Sequence, residues 1–205
     1  MGTEDQGPGE SRFEAILLAA GSGRRFGGGK LLAPWRGRPL IEASLVAAFA
    51  APVRRVILVT GAELEVGEVA RECAERNKQS ARLSVVHAPD HAEGMGASLR
   101  TGAAALDPRC AGAFVFLGDM PAIPHDIGPR LALALADGAL AAAPTFRGRR
   151  GHPALFSAVL IPDLARAFGD EGARRVLQSL GDRLALVETD SPGIFTDIDT
   201  PQDLA

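Results

Sequence analysis

The sequence predicts an α/β protein with a mostly parallel central sheet and helices on both of its faces. Three observations predict it. Apolar runs of strand length recur along the chain, segments with helical spacing separate them, and the most apolar runs are continuous, as in strands covered on both faces. Strands joined by helices of this length pair in parallel, because a parallel return needs a long crossover.

The elements follow in order. "AILLA" (15–19) is the first buried strand. "PLIEASLVAAFA" (39–50) has helical spacing and a proline suited to a first turn. "VRRVILVT" (53–60) is a strand rich in β-branched residues, and "AELEVGEVARECAERNK" (62–78) is an amphipathic helix. "RLSVVHA" (82–88) is a third strand, "GASLRTGAAAL" (96–106) a helix of small residues, and "GAFVFLG" (112–118) a fourth strand. A helix over 125–137 and a strand over 138–144 follow. "TFRGRRGHPALFS" (145–157) reads as a hairpin or excursion. "DEGARRVLQSL" (170–180) reads as a helix with Asp170 as a plausible N-cap, "RLALVETD" (183–190) as a late strand, and "TPQDLA" (200–205) as the start of a terminal helix. The polar, acidic opening is expected to be a loose tail, 1–13, before a single domain, 14–205.

Composition narrows the function. The chain has 205 residues, 46% hydrophobic and 23% charged, which is ordinary for a soluble domain with its own core. A net charge of −3 does not indicate a basic surface for nucleic acid. Cys73 and Cys110 lie in unrelated contexts, neither a metal spacing nor a disulfide framework. The opening is the opposite of a signal peptide, and no run of about 18 uncharged apolar residues suggests a membrane span. The expected location is the cytoplasm.

The informative stretch is "LAAGSGRRFGGGK" (18–30), a glycine loop directly after a predicted strand. Ligands of open α/β sheets sit beyond the carboxyl ends of strands, and glycines there let backbone N–H groups approach an anion. Arg24, Arg25 and Lys30 add positive charge, so a polyphosphate is the natural guest. A phosphate-binding P-loop is excluded: Arg24 stands at its first glycine, and Leu31 stands where a magnesium-binding hydroxyl belongs. The dinucleotide fingerprint fits poorly, with Phe26 at its third glycine and "LLAPW" before any helix.

The loop resembles the signature of nucleotidyltransferases that join a nucleoside triphosphate to a phosphorylated acceptor, the MobA-like family. Leu18, Ala19, Ala20, Gly21, Gly23, Arg25, Gly27 and Lys30 match it. The resemblance implies a Rossmann-like three-layer α/β/α, GT-A-like fold and a nucleotide held by 18–30. "GDMP" places Asp119 after an apolar strand, where a carboxylate suits Mg2+; the resemblance makes it a metal ligand. "FTDIDTPQDL" adds Asp197 and Asp199, expected to point the same way, and one or both complete the metal site. The alternative is that Asp199 or Thr200 caps the terminal helix.

Two segments narrow the resemblance to the molybdenum cofactor cytidylyltransferases. One is "GMGASL" (94–99), where Gly96 and Ser98 are expected at the nucleotide, and the other is "LLAPW" (31–35), with Pro34 as a nucleotide contact. Ala33 departs from the usual leucine there. "RGRRGHPALF" (147–156) offers Arg150 and His152 to an anionic acceptor, with a structural histidine as the alternative. In "GDEGARRVL" (169–177), Asp170 either contacts the acceptor or caps its helix.

The implied reaction transfers CMP from CTP to the terminal phosphate of molybdenum-molybdopterin, releasing pyrophosphate. Lys30, Arg25 and Asp119 carry catalysis and Mg2+ is the cofactor. The product would pass to a molybdoenzyme or its maturation chaperone. The alternatives are the same chemistry on a sugar, polyol or phospholactate-like phosphate, a GTP-using relative, an inactive nucleotide-binding regulator, and an NAD-linked oxidoreductase.

Overall fold

A computed structural model describes residues 12–204. The expected tail lies outside the described residues up to residue 11; its last residue, Phe13, opens the first strand.

The elements are β1 (Phe13–Ala19), β2 (Pro34–Trp35), β3 (Arg38–Pro39), α1 (Leu40–Ala50), β4 (Val53–Thr60), α2 (Glu65–Arg76), β5 (Leu83–His87), α3 (Met95–Ala104), β6 (Gly112–Leu117), α4 (Ile127–Ala136), β7 (Ala141–Phe146), β8 (Arg149–Arg150), β9 (Ala154–Ser157), α5 (Ile161–Leu164), α6 (Arg174–Gln178) and β10 (Leu184–Glu188). One sheet runs β10-β7-β9-β6-β1-β4-β5, with β8 paired to β7. The β1/β4, β1/β6, β4/β5 and β10/β7 pairs are parallel; β9 is antiparallel to both β6 and β7. This is the Rossmann-like three-layer α/β/α arrangement with a mostly parallel central sheet that the sequence predicts.

Strand β1 shows why the sheet holds two layers of helix. Ala15, Leu17 and Ala19 pack into a core with α1, α2 and α4, while Ile16 and Leu18 pack into the opposite core with α3, α5 and α6. An unbroken apolar strand is what two buried faces require. From β1 the chain adds β4 and β5 on one side, then crosses to place β6 on the other. The order therefore reverses at the β1/β6 boundary, and the crevice beyond that boundary is where an open α/β sheet binds its ligand.

Three expectations are corrected. Of the two alternatives for 145–157, the hairpin holds, β7 turning back onto β8, and the excursion does not: its end, β9, is a buried strand in the middle of the sheet. The run "ALFS" is too short to announce itself. The helix expected over 170–180 is broken. A 3-10 turn (Gly169–Glu171) is followed by Gly172 at φ 50°, and α6 starts after Ala173, so Asp170 caps nothing. At the end of the chain, a 3-10 turn (Pro201–Leu204) replaces the terminal helix. There Asp203, not Asp199 or Thr200, supplies the capping carboxylate, accepting the N–H groups of Asp199 and Thr200. Among the described residues no helix is long and apolar enough to cross a membrane.

Candidate active site

The glycine loop leaves β1 at the reversal point. Gly23, Gly27, Gly28 and Gly29 all have positive φ, between 55° and 93°, a region that L side chains rarely enter. The N–H groups of Phe26, Gly27 and Gly28 all turn back onto the Gly23 carbonyl, making a tight knot. Gly23 has a second reason to lack a side chain: a Cβ there would stand 3.1 Å from that of Lys30. The next turn, Lys30–Leu32, is pinned by buried Leu31, and this fixes where Lys30 starts.

Beyond β6, the Gly118 N–H donates to the Leu18 carbonyl at 2.8 Å, and its own carbonyl accepts from the Ser44 hydroxyl at 2.9 Å. Asp119 is thereby presented at the crevice. The Ile198 N–H donates to the Asp119 carbonyl at 3.0 Å, which brings the chain's last acidic segment alongside.

Three remote pieces meet as a result. Lys30 Nζ donates to Asp119 Oδ2 at 2.6 Å and to Asp199 Oδ1 at 3.4 Å. Arg25 pairs with the other Asp199 oxygen, Oδ2, at 2.8 Å. The Lys30 side chain is 14% exposed and that of Arg25 79%, so the lysine is the sheltered charge and the arginine the outer one.

Two adjoining cavities share this cluster. One, of about 540 Å³, is walled by the loop from Gly21 to Arg25, Lys30, His91, Ser98 and Asp119. The other, of about 780 Å³, is walled by Arg150, His152, Arg174, Ile194, Phe195 and Asp197. Leu18, Met95, Leu117, Asp119, Asp170 and Asp199 line both. Asp170 reaches this boundary because Gly94 has no side chain; a Cβ there would lie 2.4 Å from Asp170 Oδ1.

In the second cavity, Arg149 stacks over the Phe195 ring with its guanidinium carbon 4.4 Å from the centroid. The His152 backbone N–H donates to the Ile194 carbonyl, and bare Gly151 permits that approach. Burial, helped by the neighbouring Arg150 charge, pushes His152 below its ordinary pKa, while Asp119 and Asp197 pull the other way. The neutral ring is thereby favoured, and Nδ1 is buried with no hydrogen-bond partner among the described residues. Arg150 is lowered by burial first and by Arg174 second, so two guanidiniums face one space.

Not every expected residue reaches the site. Leu18, Ala20, Gly21, Gly23, Arg25, Lys30 and Ser98 line the first cavity. Ala19 turns into the opposite core, as alternation along β1 demands. Pro34 lies exposed on the small β2–β3 ribbon and lines neither cavity. Gly96 is a packing residue: a Cβ on it would stand 2.5 Å from the Phe168 Cα. Asp197 and Asp199 do not act alike; both line the second cavity, but only Asp199 also reaches Lys30 and Arg25.

The donor chemistry suits a small hard cation. Asp119 and Asp199 point oxygens at one spot, satisfied here by the Lys30 ammonium. Among the described residues no group of three or more acidic, His or Cys side chains forms a cage. Two carboxylates completed by substrate phosphates is the arrangement magnesium favours.

Sequence reasoning missed Glu63, whose carboxylate accepts the Gly29 N–H at 2.6 Å. The available signal was its place just past the carboxyl end of β4. It also missed Arg174, whose segment drew attention only through Asp170.

Residues 15–184 match the MobA-like NTP transferase domain, and the chain belongs to that family of nucleotidyltransferases. It is 31% identical to a molybdenum cofactor cytidylyltransferase of Escherichia coli (strain K12), covering 94% of each chain. It is 32% identical to a nicotine blue oxidoreductase of Paenarthrobacter nicotinovorans, covering 92% of this chain and 93% of that one. A crystal structure of Rv0371C from Mycobacterium tuberculosis H37Rv, in complex with manganese, superposes with a TM-score of 0.70 at 25% identity, covering 93% and 95% of the two chains.

Proposed function

We propose that this nucleotidyltransferase is a magnesium-dependent cytidylyltransferase that moves CMP from CTP to the terminal phosphate of molybdenum-molybdopterin. The observation that carries the reading is the meeting of Lys30 with Asp119 and Asp199 at the seam of two cavities. One cavity is bordered by a glycine loop fit for a triphosphate, the other by guanidiniums fit for an anionic acceptor. The similarity to a molybdenum cofactor cytidylyltransferase supports the acceptor and the base.

In this reading the loop amides and Arg25 hold the triphosphate, and Lys30 turns from the carboxylates to its phosphates. Arg150 and Arg174 draw in the acceptor phosphate, which is already anionic and needs no general base. Its oxygen forms the new bond to the α-phosphorus as the bond to the pyrophosphate oxygen breaks. Asp119 and Asp199 would hold magnesium, which when bound supplies charge neutralisation and alignment of the phosphates. The chain's own contribution is preorganised positive charge and positioning, which dominate phosphoryl-type transfer. Neutral His152 can donate a hydrogen bond to the acceptor. The product would be taken up by a molybdoenzyme or its maturation chaperone in the cytoplasm.

A pyrophosphate-release screen tests this, with CTP against GTP and molybdenum-molybdopterin against sugar, polyol and phospholactate-like phosphates. Release with CTP and the pterin alone supports the reading; release only with another pair replaces the substrates. A relative of similar identity carries an oxidoreductase name, so NAD binding is measured in parallel. NAD binding without pyrophosphate release would replace the transferase reading.

A further inference from the structure

We infer that Glu63 is a positioning residue for the reaction, the clamp that holds the glycine loop closed and aims Lys30. This inference rests on the reading that the loop and Lys30 serve a triphosphate.

The loop is costly to order by its composition. Gly27, Gly28 and Gly29 follow one another at positive φ, and none has anything within 4 Å of where a Cβ would be. A run of three such residues has more backbone freedom to lose than any other tripeptide. Within the loop the Gly23 carbonyl holds the Phe26, Gly27 and Gly28 N–H groups, but Gly29 is held from outside it. The segment leaving β4 braces the loop at both ends. At the entry, the Ala62 N–H reaches the Ala20 carbonyl at 3.5 Å, a long contact. At the exit, Glu63 Oε1 accepts the Gly29 N–H at 2.6 Å. The acceptor is an ionisable carboxylate, and such bonds are shorter and stronger than neutral ones.

Gly61 makes this bracing possible. A Cβ there would stand 2.7 Å from the Ala20 carbonyl oxygen and 2.7 Å from the His91 ring, so only glycine lets the β4 exit lie against β1's exit.

Gly29 is the loop's hinge toward the catalytic lysine. Its N–H is held by Glu63, and its carbonyl accepts from Leu32 and Ala33, starting the turn that carries Lys30. Glu63 therefore sets the direction from which the Lys30 side chain departs, and does so without lining either cavity. The carboxylate acts through the loop; it touches no reacting atom.

The test compares Glu63→Ala and Glu63→Gln with the wild type. Glutamine keeps an oxygen that can accept the Gly29 N–H; alanine does not. Three readouts are taken: amide hydrogen exchange over 20–32, thermal stability, and kcat and KM for the triphosphate that the wild type turns over. Glu63→Ala is expected to speed exchange in the loop and to lower kcat by about 10- to 100-fold, since a misplacement of about 1 Å can cost about 100-fold. Its Tm stays within a few degrees, and Glu63→Gln recovers kcat to within about twofold. Unchanged exchange at Gly29 in Glu63→Ala overturns the clamp. A kcat at the wild-type value with only a lower Tm overturns the positioning role. Equal losses in both variants overturn it in favour of a charge effect. If the wild type turns over no triphosphate, the functional reading fails, and hydrogen exchange still decides whether Glu63 holds the loop.

Discussion

Strand β1 carries a carboxylate network at each end, and the two differ in how far donors of the chain satisfy them. At its amino end, Glu14 is 1% exposed and fully engaged. Oε1 accepts from Arg54; Oε2 accepts from Arg55 and from the Asp107 N–H at 2.9 Å. Arg54 also pairs with Asp107 at 2.9 Å. At the carboxyl end, Asp119 and Asp199 share one lysine and border two cavities. The first network matches each buried acceptor with a donor of the chain, which is how burial of charge is offset. The second holds its charges where a polyanion and a cation can replace the internal partners. Both networks adjoin open space, cavities of about 490 and 560 Å³ at the amino end included. The difference teaches that what separates them is satisfaction, since the Glu14 oxygens are taken up by donors of the chain while Asp119 and Asp199 share one lysine.

Breaking the carboxyl-end network should cost activity and little stability. The largest effect is expected for Asp119→Ala, with turnover falling on the order of 1,000-fold or more, as loss of several kcal/mol of metal-assisted stabilisation implies. Its Tm should stay close to that of the wild type, and near-normal pyrophosphate release would remove Asp119 from the metal site. Lys30→Ala should cost on the order of 100-fold in kcat, the scale of losing one charge-stabilising donor. A twofold loss in steady-state kinetics would show the lysine to be peripheral.

Breaking the amino-end network should do the reverse. Glu14→Gln keeps the shape but weakens the charge-assisted contacts around it; about 1–3 kcal/mol of stability should be lost in urea titrations. Turnover measured well below the melting temperature should be unchanged. A loss of activity without a loss of stability would erase the contrast between the two poles.

The smallest effect concerns acid. The Arg109 backbone N–H, then the Arg109 and Arg54 side chains, hold Asp107 well below the usual carboxylate range. A depressed carboxylate contributes stability above its unfolded pKa of about 3.9, and that contribution is lost as pH falls through and below this value. Asp107→Asn should therefore be less stable than the wild type near about pH 6, with the gap closing below about pH 4. A gap that does not depend on pH would show that the charge is not what matters there.

Much of the carboxyl-end network is legible in the amino-acid order. A strand followed by glycines and a lysine, and another strand followed by an aspartate, announce a ligand edge, because both patterns are local. Glu63 is legible only as a carboxylate just past β4; its role is not, since its partner is a backbone amide 34 residues away and amides carry no sequence signature. For Gly96 the sequence hides a second demand of the same kind: its want of a side chain answers the Phe168 backbone. Pro34 is singled out by a motif position, and only the ribbon of β2 and β3 shows that it stands away from the cleft.

The sequence by itself determined the α/β alternation, the parallel core strands and a glycine loop ending in a lysine after the first strand, since these rest on periodicity and on what glycine and lysine can do within a few residues. Tertiary structure alone decided that β9 enters the sheet, that Asp199 rather than Asp197 meets Lys30, and that Asp203 holds the final turn. Those outcomes depend on which distant backbones approach within hydrogen-bonding distance, and that is set by packing two layers of helix on a twisted sheet.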